Sequence, residues 1–385
     1  MKLYIAGGCS EHGRNCFLGK SKYVRFLVDC GKMKENPDTP YPELTRRQIE
    51  KAEYLFLTHC HTDHTGALLW LYERGFRGRV CASAETFRRI PGQIRNALVL
   101  EELGEAGEKI TLSDRFSLVW GRSGHCIGSV WLHFYINRKS ILFSGDYSEE
   151  SHVYRCDPIR DREADAAVLD AAYGTDPEDA AFHRERLLAC MDRLQKEKAA
   201  MLFPIPLDGR GNDLMQILTE RGIPVYAQEP VRRAAGHFPE ERFWLQDTLA
   251  DRVNEGTLQS TEELMTAVME GGPLPEGPFG ALLVDSQLWD RKNCEFAERF
   301  LELGGRIVLT GKQDPASFAR ALRDDGRAEA QRITAHQTEA EMLALKEKNR
   351  FRVTVPYHSR QVLSGNGPDV RILRVGDTLK LSCFL

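Results

Sequence analysis

The segment Thr58-His59-Cys60-His61-Thr62-Asp63-His64-Thr65-Gly66 constrains this chain more than any other, because it gathers three imidazoles and a carboxylate directly behind an apolar run. The preceding Tyr54-Leu55-Phe56-Leu57 reads as a buried strand, and Thr65 to Arg74 has helical apolar spacing at Leu68, Leu69, Leu71 and Tyr72. The cluster therefore sits on a strand-to-helix loop, where two rigid elements aim several side chains at one point. His59 and His61 reach one metal from an extended segment, while Asp63 and His64 turn the other way and offer a second, adjacent position. Neutral imidazole and carboxylate suit zinc, and carboxylate also admits manganese. One histidine alone is more often an ordinary surface or core residue than a ligand; this spacing reverses those odds.

Composition narrows the classes. At 385 residues the chain calls for two domains, or one with a large insertion. No apolar run reaches membrane-spanning length, and Met1-Lys2-Leu3-Tyr4-Ile5-Ala6-Gly7-Gly8 lacks the apolar core of a signal peptide, so no membrane association is expected. Ten cysteines are scattered without a CxxC pair. Cys60 lies between two candidate ligands and Cys126 follows another, positions where a disulfide would distort the site, so a reducing cytoplasm is expected. A net charge of −4 argues against general polyanion binding, so a nucleic-acid substrate would need a local basic groove.

Further residues of the same chemistry end other strand-like runs. Ser123-Gly124-His125-Cys126-Ile127-Gly128-Ser129 sets a histidine between glycines, after Phe116 to Trp120 and before Val130 to Tyr135. Arg25-Phe26-Leu27-Val28-Asp29 and Ser140-Ile141-Leu142-Phe143-Ser144-Gly145-Asp146 each end on an aspartate, and Arg352-Val353-Thr354-Val355-Pro356-Tyr357-His358 ends on a histidine. Strands that end on His or Asp, drawn from the whole chain, imply side chains converging at one edge of a sheet sandwich.

In order, Asp29, the His59/His61/Asp63/His64 cluster, His125 and Asp146 resemble the motif series of the metallo-β-lactamase fold. Other stretches resemble its β-CASP branch of nucleases. Gly7-Gly8-Cys9-Ser10-Glu11-His12-Gly13-Arg14-Asn15-Cys16 looks like the opening strand and turn, and Asp170-Ala171-Ala172-Tyr173-Gly174 like acidic motif A. Pro206-Leu207-Asp208-Gly209-Arg210 is similar to the glycine-arginine turn, and Val308-Leu309-Thr310-Gly311-Lys312-Gln313 to the T-G-Y-Q segment. His336 in Thr334-Ala335-His336 resembles motif B, and His358 motif C. Two positions depart from the pattern: Asp170 stands where glutamate is common, and Val284-Asp285-Ser286-Gln287-Leu288 where relatives usually carry a serine-glycine-methionine turn.

The resemblance implies an α/β protein, an αββα metallo-β-lactamase sandwich with an inserted α/β β-CASP cap. Residues 1–174 and 331–385 would form the sandwich and 175–330 the cap, with little chain left after His358 for further domains. Strand-like runs at Met201-Leu202-Phe203, Val225-Tyr226, Ala281 to Val284 and Ile307 to Leu309 alternate with helical stretches at Asn212 to Arg221 and Asn293 to Leu303, which independently predicts a parallel α/β sheet in the cap. The charged stretch Tyr147 to Asp165 reads as a solvated connection.

By the same resemblance, His59, His61 and His125 hold one zinc, Asp63, His64 and His358 hold a second, and Asp146 bridges them, with Mn2+ as a possible substitute. Asp29 supports the ligand loop from behind, and Asp63, Asp170 and His336 are the catalytic set, with His336 protonating a leaving oxygen and Asp170 holding its ring. Arg210 is the candidate phosphate contact, whereas Arg88, Arg89 and Arg95 read better as a charged helix face and His12 as structural. A histidine at motif C favours single-stranded RNA over DNA as the substrate. A small-molecule metallohydrolase of the same fold, a DNA nuclease and a non-catalytic scaffold are the alternatives.

Overall fold

The computed structural model describes residues 1–253, 257–274, 280–285, 288–360 and 367–381. They fall into two compact units, one of Met1–Glu149, Cys156–Pro177 and His336–Leu385, the other of Glu150–Arg155 and Glu178–Ala335.

Two sheets build the first unit. One runs, in spatial order, Thr378–Lys380, Lys2–Gly7, Cys16–Lys20, Arg25–Val28, Tyr54–Phe56, Arg79–Ala82 and Ala97–Val99. The other runs Thr354–Tyr357, Ala166–Asp170, Lys139–Phe143, Val130–Ile136, Phe116–Arg122 and Ile110–Ser113. Side chains alternate across a strand, and Val130–Ile136 uses both faces. Phe134 points to the opposite sheet, with its ring 4.7 Å from those of Phe26 and Phe56, while Phe116 lies 5.3 Å from Phe26 and Phe143 5.6 Å from Phe17. Each such buried ring contributes roughly 1.5–3 kcal/mol relative to exposure, so this aromatic layer is the main reason the sheets pack face to face. On the far side, Trp131 packs with Val119, Leu142 and Leu169 against Met342 and Leu345 of the helix Glu339–Glu347, which starts on a Thr338/Glu341 capping box. The outer face of the first sheet buries Leu27, Leu55 and Val80 against Leu68, Leu71 and Tyr72 of the helix Leu68–Glu73. Helix, sheet, sheet and helix follow in layers, the expected αββα sandwich.

Two local expectations are corrected. The stretch after the metal cluster is not one helix from Thr65, because a separate turn, Thr62–Thr65, starts within the cluster and ends at Gly66 before Leu68–Glu73 begins. Apolar periodicity could not reveal a turn made of Thr62, Asp63 and His64. Nor is Tyr147 to Asp165 a solvated connection. Tyr147, Val153, Tyr154 and Ile159 are buried, the Tyr147 hydroxyl donates to Glu149 and accepts from the Ile159 N–H, and the charges of Arg122 and Asp157 and of Arg160 and Glu149 pair with one another. Its charged residues find opposite charges within the stretch or on neighbouring strands, such as Arg122 and Lys139, which lets singly spaced apolar residues go inside.

The second unit is an α/β layer whose sheet runs Gln259–Ser260, Val225–Ala227, Ala281–Asp285, Met201–Ile205, Arg306–Leu309 and Ala328–Ala330, with every pair parallel. Its helices include Arg210–Glu220, Arg291–Glu302 and Phe318–Asp324. Among the described residues, no helix is long and apolar enough to cross a membrane.

Candidate metal centre

Strand direction assembles half of the site. Lys139–Phe143, Ala166–Asp170 and Thr354–Tyr357 run parallel, so the residues at and just after their C-terminal ends share one sheet edge, and Asp146, Asp170 and His358 meet there. Asp170 pairs in register with Tyr357, which sets His358 beside it. The other donors come from two loops, one after Tyr54–Phe56 of the facing sheet and one between Phe116–Arg122 and Val130–Ile136 of the same sheet. Val130 N–H donates to Thr58 O at 2.9 Å, and the ligand turn is tied down by Asn15 N–H to Asp63 O (2.9 Å), Cys30 N–H to His64 O (2.7 Å) and Lys32 N–H to Thr62 O (2.9 Å). Gly31 permits this approach, since a Cβ there would sit 1.6 Å from Asp63 O. The His125 loop is closed by Ser129, whose hydroxyl accepts from Cys126 N–H at 3.1 Å and donates to Cys126 O at 2.8 Å.

One donor set comprises His59 Nε2, His61 Nδ1, His125 Nε2 and Asp146 Oδ2. Their separations are 3.1 Å (His59 to His61), 3.2 Å (His125 to His61), 3.5 Å (His59 to Asp146) and 3.6 Å (His125 to Asp146). A tetrahedron with bonds of ~2.0 Å has edges of ~3.3 Å, so these four atoms have the size of a zinc shell. The second set comprises Asp63, His64 and His358 together with the other oxygen of Asp146. His358 Nε2 lies 3.1 Å and His64 Nε2 3.8 Å from Asp63 Oδ2, and His64 Nε2 is 3.2 Å from Asp146 Oδ1. His358 Nδ1 is a buried nitrogen with no hydrogen-bond partner among the described residues, though Asp146 Oδ1 is 3.2 Å away. Asp146 thus turns one oxygen to each set. Both groups of residues can hold a metal ion, and donor chemistry and spacing fit two divalent cations.

The charge balance points the same way. Burial disfavours charge on His64 and His358, yet Asp146 and the neighbouring carboxylates hold both imidazoles well above their usual range. Burial also pushes Asp146 upward, and His358 and His64 overcome it to hold the carboxyl well below its usual range. The carboxylates around His64 and His358 thus favour positive charge at this donor set.

Beside this centre, His336 Nδ1 lies 3.1 Å from Asp170 Oδ2 and 3.6 Å from Asp146 Oδ2. Asp170 is fully buried and fixed by the N–H groups of Tyr147 and Ala172, each at 3.0 Å. On the opposite flank, Asp29 accepts from Thr58 N–H at 2.8 Å and meets His64 Nδ1 at 2.8 Å, which leaves His64 Nε2 facing the second donor set. A carboxylate on one ring nitrogen is the arrangement that orients a metal-binding histidine, and the other nitrogen, Nε2, lies 2.9 Å from Asn15 Nδ2 and 3.2 Å from Asp146 Oδ1.

The profile of the metallo-β-lactamase superfamily matches residues 11–204. The chain belongs to that superfamily. The α/β layer inserted between the two parts of its sandwich places it in the β-CASP branch. Among curated relatives, it is 23% identical over 295 residues to the transcription termination factor FttA of Methanothermobacter thermautotrophicus, covering 66% of this chain and 46% of that protein. It is 22% identical over 360 residues to an RNase J-like protein of Methanocaldococcus jannaschii, covering 84% and 81%. The chain spans less than half the length of the termination factors it matches. A crystal structure of a protein of unknown function from Enterococcus faecalis V583 shares the fold, with a TM-score of 0.64 and 12% identity over 98% of this chain and 99% of the other.

One residue at this metallo-β-lactamase centre escaped the sequence reading. The buried Tyr357 hydroxyl donates to Asp146 Oδ1 at 2.8 Å, and a strand tyrosine carries no sequence mark of such a role. His12, read as structural, stacks on His358 with ring centroids 4.8 Å apart. Tyr357→Phe removes only the hydroxyl that sets the plane of Asp146, so zinc affinity in a chelator competition is expected to fall about 10- to 100-fold while the metal-free variant melts as the parent does. Unchanged affinity would show that the hydroxyl does not orient the carboxylate.

The remaining candidates have local partners of their own. Arg88 and Arg89 both pair with Glu85, and the Arg95 guanidinium covers the Tyr72 ring, so these three serve the helix and its surroundings. Arg210 belongs to the second unit, where it opens the helix Arg210–Glu220 and its guanidinium packs so closely on Gly311 that a Cβ there would meet it at 2.4 Å. The glycine-arginine turn and the Thr310-Gly311-Lys312-Gln313 segment are therefore one local structure. Ser286 and Gln287 of the Val284–Leu288 segment lie outside the described residues.

Proposed function

We propose that this chain is a two-zinc phosphodiesterase that cleaves single-stranded RNA, with residues 1–174 and 331–385 as its metallo-β-lactamase domain and 175–330 as its β-CASP cap. The observation that carries the reading is the Asp146 carboxylate, one oxygen toward each donor set, beside the half-buried His336 held by the buried Asp170. His59, His61 and His125 would hold one ion, Asp63, His64 and His358 the other, with Asp146 shared. When bound, the pair supplies Lewis-acid charge for phosphodiester oxygens and a nucleophile from water at neutral pH.

The protein's own residues do the rest. Asp29 fixes the ring of His64, and Asp63 serves both as ligand and as the carboxylate beside the attacking water. His336, its Nδ1–H held by Asp170, keeps Nε2 for the proton that the leaving oxygen needs. Arg210 is assigned to a phosphate. RNA is preferred to DNA because a histidine occupies position 358, and names such as RNase J-like protein and endoribonuclease among the relatives support it. The nine described cysteines, none in a disulfide, support a reducing cytoplasm as the working compartment.

Incubating zinc-loaded protein with end-labelled single-stranded RNA and DNA of matched sequence tests this reading; RNA is the expected substrate, and turnover of neither would reject it. Because the net charge is −4, any grip on RNA must come from a local set of cations. Affinity for single-stranded RNA is therefore expected to fall linearly on a log–log plot against salt, with a slope of about −0.7 per phosphate neutralised. Salt-independent binding would point to a small-molecule substrate.

A further inference from the structure

Cys60 and Cys126 have no part in the site described so far, yet they sit inside its two ligand loops. Cys60 separates His59 from His61, and Cys126 follows His125 directly. The sulfurs of the two cysteines and a ring nitrogen of His61 lie within 4.8 Å of one another. Cys60 is half-buried, whereas Cys126 is 2% exposed. We propose that Cys60 and Cys126 form an oxidisable dithiol, a modification site for small disulfides, whose closure competes with metal binding by the His59/His61/His125 set.

The chemistry balances with a disulfide R–S–S–R as oxidant. The half-buried Cys60 sulfur, the more accessible of the two, attacks one sulfur of the oxidant, forming a mixed disulfide and releasing one RSH. The Cys126 sulfur then attacks Cys60 Sγ, closing the protein disulfide and releasing the second RSH. The protein gives up two electrons and its two thiol protons, and both protons end on the released thiols.

Geometry supplies the coupling. A disulfide needs sulfurs at ~2.05 Å with a dihedral near ±90°, so both loops must adjust to close it. Their backbones have little slack: Thr65 Oγ1 donates to Cys60 O at 3.0 Å, and Ser129 brackets Cys126 through its N–H and carbonyl. The adjustment is delivered to residues adjacent in sequence, His59, His61 and His125, whereas a metal shell tolerates only about 0.2 Å in its ligand distances. Closure and metal binding therefore oppose each other, and linkage makes the opposition reciprocal.

The test treats metal-free and zinc-loaded full-length protein with oxidised glutathione, alkylates the remaining thiols, maps the cross-links by mass spectrometry and measures zinc affinity by chelator competition. The expected result is a Cys60–Cys126 cross-link in the metal-free protein, formation at least about tenfold slower with zinc bound, and zinc affinity lowered at least about tenfold by oxidation and restored by dithiothreitol. Cys126→Ser should stop at a glutathione adduct on Cys60 while the unoxidised variant binds zinc as the parent does; should it not fold, Cys60→Ser, which leaves Cys126 unmodified, serves instead. No Cys60–Cys126 link, a link that leaves zinc affinity unchanged, or equal rates with and without zinc would overturn the proposal. Protein that forms the link but never binds zinc would reject the metalloenzyme reading separately, because cross-link mapping does not depend on metal.

Discussion

If two zinc ions bind as proposed, Asp146→Asn is expected to lose one or both of them and to reduce RNA cleavage to background. The carboxylate is almost completely buried and turns Oδ2 to His59 and His125 and Oδ1 to His64 and His358. Asparagine keeps the shape but removes the negative charge shared by both donor sets, and its NH2 group would point at one of them as a donor where an acceptor is required. Elemental analysis of the reconstituted variant checks the expectation directly. Two ions retained in Asp146→Asn would show that the carboxylate does not link the sets.

His336→Ala should do something different: leave both ions in place and slow RNA cleavage by about 10²- to 10⁴-fold, the usual loss when a general acid is removed. Its ring meets Asp170 through Nδ1 at 3.1 Å, which leaves the other nitrogen as the one that could pass a proton to the leaving oxygen. His358→Ala, by contrast, should deplete one ion, because that imidazole belongs to the second donor set. The contrast sharpens on bis-p-nitrophenyl phosphate, whose leaving group needs no proton; if hydrolysed, it should lose much less rate in the His336 variant than RNA does. Equal losses on both substrates with metal intact would remove the general-acid role. The short approach of His336 Nδ1 to Asp146 Oδ2, 3.6 Å, gives metal analysis of this variant special force, since loss of an ion would move His336 into the ligand set.

Much of this site is legible in the amino-acid sequence because its chemistry is carried by residue types that announce themselves. Histidines and aspartates at the ends of apolar runs form a recognisable pattern, and the apolar runs within Val130–Ile136 and Lys139–Phe143 mark the strands that present them. Asp29 is a similar case, its negative charge needing a reason behind a buried strand. What the sequence hid depends on direction and on partners distant along the chain. Tyr357 sits in an apolar strand, and only the register that pairs it with Asp170 brings its hydroxyl to Asp146, 211 positions away in sequence. The stretch Tyr147 to Asp165 looked solvated because its charges were counted singly, whereas in the fold they cancel in pairs and carry Tyr147 and Ile159 inside. The turn Thr62–Thr65 carries ligands instead of apolar residues, so no periodicity could mark where it begins.

The most direct measurement is a zinc titration of metal-free protein read out as cleavage of end-labelled single-stranded RNA. If Asp146 joins two ions into one centre, cleavage stays near background through the first equivalent and rises as the second binds. Full cleavage at one equivalent, or none once two are bound, would contradict the two-metal ribonuclease assignment.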